Sequence, residues 1–171
     1  MTRVEAEDWV ENTTLTLENG LAKLQSPDYL FGQESTFAYD SLNRLTNTTR
    51  AYYDLSIVWD DNKLTSIKNA NFMLGYTQTF EYDPLTSAIG YCPLLPYRTG
   101  AGILFVAHPE LAGLLTNQAP VKETVKHNFT GGSTSTFTYE HDADLYMTKI
   151  IEKGQYNDSD IQTFTHTMIW E

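Results

Sequence analysis

Four histidines, one cysteine and 22 acidic side chains are the groups in this 171-residue sequence with the most chemistry to offer. His141 lies beside Asp142 and Asp144, and His166 falls in the last segment, so the spacing allows a His/carboxylate metal site across the final hairpin. Strand histidines next to turn aspartates explain the same residues without a metal, and that is the reading adopted. "DADLY" from Asp142 and "NDSDI" from Asn157 set acids at alternating positions, as calcium loops do, but both lack the later Gly and bidentate Glu such loops need. Cys92 sits between Tyr91 and Pro93 with no base nearby in sequence, and there is no Gly-x-Ser-x-Gly elbow. "RTGAG" at 98–102 lacks the Gly-Lys-Ser/Thr ending of a phosphate loop. No two of the acids stand out as a glycosidase pair. The expectation is a chain with no catalytic residue, no metal and no cofactor.

The elements that would position these groups are strands. Eleven tyrosines, eight phenylalanines and three tryptophans favour β-structure. Phe37 and Tyr39, Ile57 and Trp59, Phe80 and Tyr82, and Phe137 and Tyr139 each sit two apart, on one face of a strand. Phe72, Leu74, Tyr76, Phe80 and Tyr82 extend one such stripe, with Gln78 in a gap. An acid follows each pair: Asp40, Asp60, Asp83 and Asp142. Aspartate bonds the amide two residues on and so favours a turn. Asn43 and Asn62, with Asn19-Gly20 in an N-terminal cousin, supply residues that tolerate positive φ. The unit is therefore strand, Asx turn, strand. Leu21 and Leu24, Leu64 and Ile67, and Met147 and Ile150 are three apart, an odd spacing in which the first residue of each pair either covers the turn or sits at a bulge.

Together these units predict one all-β domain over 1–171: an antiparallel meander of about 8–10 strands, strongly curled or barrel-like. Residues 84–120 break the pattern, with five of the six prolines and four of the ten glycines. "HPELAGLLTNQ" reads there as one short helix with Pro109 in its first turn. This Pro/Gly-rich insert is expected to pack over one mouth or face of the sheet, and strands resume at about 121–130, 134–142, 146–153 and 161–170.

Net charge is −11, with no cluster of Lys or Arg, which sets the chain against a phosphate backbone and excludes nucleic acid as a partner. One cysteine excludes an internal disulfide. The first residues, "MTRVEAEDWVENTT", show no apolar segment of a signal peptide.

The units at Tyr39, Trp59 and Tyr139 resemble tyrosine–aspartate repeats, and the order of features over roughly residues 35 to 171 resembles a smaller group. "FAYDSLNRLT", "IVWDDNKLTSI" and "FEYD" come first, then the insert ending in "NQAPVKETV", then "FTYEHDADLYMTKI" and "FTHTMIWE". This is similar to a family of secreted or lipid-anchored Gram-negative proteins of unknown function with a porin-like fold. The resemblance implies a barrel-like sheet and a place in the cell envelope, periplasmic or anchored to the outer membrane, with membrane contact only through a lipid anchor outside this sequence. It carries no catalytic residue across. Asn43 and Leu145 stand where the repeat has Gly.

Three functions follow as expectations. The first is a non-catalytic envelope domain binding a small ligand, a glycan or an envelope protein, with Tyr91, Leu94, Leu95, Tyr97 and Phe105 of the insert as its contact residues. The second is a carrier of a small apolar ligand, held in a barrel cavity closed by the insert. The third is a transmembrane β-barrel, suggested by Trp170 near the end of a final alternating strand.

Overall fold

The computed structural model describes residues 14–26, 34–50, 53–71, 75–83, 119–144, 147–157 and 159–167. They form eleven strands: β1 (Thr14–Glu18), β2 (Leu21–Ser26), β3 (Ser35–Tyr39), β4 (Leu45–Arg50), β5 (Tyr53–Asp60), β6 (Lys63–Asn69), β7 (Tyr76–Glu81), β8 (Lys122–His127), β9 (Gly132–His141), β10 (Met147–Tyr156) and β11 (Gln162–Thr167). Each strand pairs antiparallel with the next, in strict sequence order, in one sheet. The predicted meander is present. Its strand count exceeds the expected 8–10 because the divergent N-terminal unit also forms a complete hairpin, Leu15 opposite Gln25. The sheet stays open, with β1 and β11 as its two edges. The helix expected within 84–120 lies outside the described residues; none of those described is helical.

The repeated unit shows why each of its residues is there. Asp40 Oδ1 accepts from the amides of Leu42 and Arg44, both at 2.9 Å, and its Oδ2 accepts from Arg44 Nε at 2.7 Å. Asn43 takes φ 60°, which Asn tolerates because its short polar chain can bond locally. In the next unit the positive φ, 49°, falls on Asp61 and not on Asn62 as expected, because that turn has only Asp61 and Asn62 between its strands. Leu45 is fully buried, and Thr46 Oγ1 donates to the carbonyl of Ala38 across the hairpin at 3.1 Å. Thr65 and Thr148 do the same to Val58 and Glu140.

Of the two readings of the odd spacing, the bulge is the one present. Register shifts fall at Ala38/Tyr39, Val58/Trp59 and Met147/Lys149. Leu64 and Ile67, and Met147 and Ile150, are thereby all buried. In the N-terminal unit the buried pair is Ala22 and Gln25, one residue on from the predicted Leu21 and Leu24. Each unit is also tied to its predecessor. Tyr39 OH donates to Ala22 O at 2.7 Å, Trp59 Nε1 to Leu45 O at 2.7 Å, and Tyr82 OH to Leu64 O at 2.8 Å. The acceptors are the bulge residues of the preceding unit, whose carbonyls need a partner where the regular ladder shifts.

One face of the sheet is buried, and it is divided along the strands. Toward the Asx turns lie Phe37, Leu45, Ile57, Leu64, Ile67, Phe80, Phe137, Met147 and Ile150. Toward the opposite end the buried residues are mostly polar, Gln25, Ser35, Thr48, Asn69, Gln78, Glu123, Ser135 and Glu152, with Leu55 between Thr48 and Asn69. The other face carries exposed Asp54, Ser56, Lys68, Thr79, Lys126, Thr138, Glu140 and Lys153. Among the described residues this face offers no continuous apolar band of the kind a membrane-spanning barrel turns to lipid.

Candidate functional site

The five residues expected to contact a ligand, Tyr91, Leu94, Leu95, Tyr97 and Phe105, lie outside the described residues. The histidine pair does not assemble. His141 ends β9 opposite Met147, and His166 on β11 faces Ile150, so β10 separates them. Strands two apart are about 9.5 Å from each other, and the two histidines are offset along β10 as well, from Met147 to Ile150, by roughly 10 Å more, which leaves them too far apart to share one ion. Among the described residues no three of His, Cys, Asp and Glu are placed to share a metal. Asp142 Oδ1 instead accepts from Asp144 N at 3.0 Å, as in the other Asx turns.

The structure does distinguish two of the acids, which the sequence did not. Glu123 and Glu152 are 3% and 8% exposed on the polar half of the buried face. Glu123 Oε1 accepts from Gln78 Nε2, and Glu152 Oε1 accepts from Ser135 Oγ at 2.8 Å. His166 Nε2 approaches Glu152 Oε2 at 3.5 Å. Burying a carboxylate is costly unless it is bonded, so these bonds help hold the polar half together.

An open concavity of about 640 Å³ lies at that same polar end, where β8 turns into β9. Its wall runs from Thr124 to Thr134 and is completed by Gln155 and Asn157 of β10 and the turn after it. Phe129, at the turn, is 65% exposed. Three backbone contacts fix the turn: His127 N to Gly131 O at 3.1 Å, Asn128 N to Gly75 O at 3.0 Å, and Asn157 N to Gly132 O at 3.0 Å. Asn157 Oδ1 also accepts from Gly132 N at 2.7 Å, clipping one turn to the next. Gly132 is needed here, since a Cβ would meet the Val125 carbonyl oxygen at 2.2 Å. The His127 ring packs edge-on against Tyr76, with centroids 6.1 Å apart.

The lining is rich in hydroxyl and amide groups: Thr124, Asn128, Thr130, Ser133, Thr134 and Gln155. The described lining has donors, acceptors and an exposed ring, an arrangement suited to holding a ligand. Periodicity could not reveal this site, because it is assembled from two turns separated in sequence. The one local signal was an aromatic, Phe129, inside a turn rich in Asn, Thr and Gly.

No protein-family description matches the chain, and no curated protein matches it. Solved structures do. A porin-like protein from Bacteroides uniformis ATCC 8492 aligns over 90% of this chain and 66% of its own, with TM-score 0.66 and 17% identity. The present chain thus spans just under two thirds of that protein. A porin-like protein from Bacteroides vulgatus ATCC 8482 aligns over 91% of this chain and 77% of its own, with TM-score 0.63 and 13% identity. At these identities the shared property is the fold, and the porin-like fold expected from the order of motifs is present.

Proposed function

We propose that this chain is a non-catalytic binding domain of a bacterial cell envelope and that it holds its ligand in the concavity at the β8–β9 turn. The observation that carries this reading is the exposed side chain of Phe129 set in a polar-lined concavity of about 640 Å³. A large apolar side chain at a turn has little to gain from water unless something covers it. The clip between Asn157 and Gly132 holds the wall in place before a ligand arrives, which lowers the ordering cost of binding. The envelope location is supported by the likeness to the two porin-like proteins and by the resemblance of the motif order to exported, lipid-anchored proteins.

The experiment is a microarray of envelope polysaccharides and peptides read with the labelled chain, the wild type against Phe129→Ala and Thr124→Trp. The reading expects one ligand class to be retained by the wild type and lost by both variants. Retention unchanged in both variants would place the ligand elsewhere.

A further inference from the structure

We infer that the concavity selects an anionic saccharide, one carrying carboxylate or sulfate groups; this rests on the reading of the concavity as the binding site. The chain has 22 acidic residues against 11 lysines and arginines, so its surface as a whole repels anions. The concavity is the exception. The thirteen described residues that line it include Lys126 and His127 and no Asp or Glu. Of the other strand lysines on the exposed face, Lys122 meets Glu81 at 2.6 Å and Lys149 meets Glu140 at 2.9 Å, while Lys68 and Lys153 lie outside the concavity. Among the described residues Lys126 has no such carboxylate partner, so its charge remains directed to whatever enters.

The rest of the lining selects a saccharide among anions. Thr124, Asn128, Ser133, Thr134 and Gln155 offer groups that both donate and accept, which matches ring hydroxyls better than a phosphate, which mainly accepts. Phe129 adds an exposed apolar ring face against which the carbon face of a sugar can pack. The concavity is open, so a sugar within a longer polymer can lie across it without its ends being enclosed.

The test is biolayer interferometry of the full chain over immobilised polygalacturonate, dextran sulfate and unmodified dextran. Three variants go beside the wild type: Lys126→Glu, Phe129→Ala, and Lys153→Glu as a control that changes net charge equally outside the concavity. The expected result is binding to one or both acidic polymers and none to dextran, with polygalacturonate and dextran sulfate separating carboxylate from sulfate recognition. Lys126→Glu should weaken that binding roughly tenfold or more, and Phe129→Ala about three- to tenfold. Lys153→Glu should bind as the wild type does. Equal binding to dextran, binding to none of the three polymers, or equal losses in Lys126→Glu and Lys153→Glu would each overturn the inference. The first would leave the binding-domain reading intact, since a neutral glycan would then be held in the same place.

Discussion

The phenol of Tyr39 donates to the backbone carbonyl of Ala22 at 2.7 Å, joining residues 17 apart in sequence. Tyr82 repeats the contact with Leu64 at 2.8 Å. The aromatic of each unit thus caps the bulge of the one before, and burial pushes the Tyr39 phenol pKa well up, keeping it a donor at any physiological pH. Tyr39→Phe and Tyr82→Phe should each cost about 0.5–1.5 kcal/mol of stability. The two bond different carbonyls, Ala22 and Leu64, so the double variant should lose close to the sum. Urea denaturation measures all three. A cost near zero for both would mean that the latch is incidental to stability.

Asp40 gives the fold a pH dependence whose sign is fixed. Loss of water raises the pKa of its carboxyl, but the Arg44 side chain, the amides of Arg44 and Leu42 and the Arg44 charge lower it further, and the net shift is downward. A lowered native pKa contributes stability above the unfolded value, about 3.9, and that contribution is lost as pH falls through the native value. Asp40→Asn should therefore be less stable than the wild type at neutral pH, by about 1 kcal/mol for a partly buried pair. The gap should close under strong acid. Thermal melts from pH 7 to pH 2 test this, and a gap of constant size would contradict it.

Thr48 is 1% exposed, and its hydroxyl has no hydrogen-bond partner among the described residues. A buried unpaired hydroxyl is a cost, and Val has the same shape without it. Thr48→Val should raise stability by about 1 kcal/mol, read as a higher urea midpoint at unchanged slope. A lower midpoint would show that the hydroxyl is satisfied in solution.

Gly132→Ala places a methyl group 2.2 Å from the Val125 carbonyl oxygen, which is backbone and cannot swing aside. The turn must open, at a cost of about 1–3 kcal/mol. Amide exchange should quicken at Val125 to Ser133 and stay unchanged around Asp40. Uniform quickening across the sheet would mean that the effect is global.

How far the sequence disclosed this molecule follows from how local each signal is. The stripe of Phe37 and Tyr39, the turn at Asp40 and the bulge of Leu64 and Ile67 are written within a few residues, and all three stand in the structure. The bulge of the N-terminal unit was placed one residue early because its buried slots hold Ala22 and Gln25, which carry no apolar signature. Gln78, read as filling a gap in an aromatic stripe, is instead buried against Glu123, 45 residues away. Only strand pairing could reveal that contact. The concavity was invisible for the same reason, since Gly132 and Asn157 meet across 25 residues.

The most direct test of the binding reading is ¹⁵N–¹H correlation spectroscopy of the labelled chain, titrated with polygalacturonate oligomers. The account predicts shift changes concentrated at Thr124 to Thr134, Gln155 and Asn157, with the Asx-turn end around Asp40 and Asp61 unchanged. Shifts centred on the Asx-turn end, or spread evenly over the sheet, would contradict it.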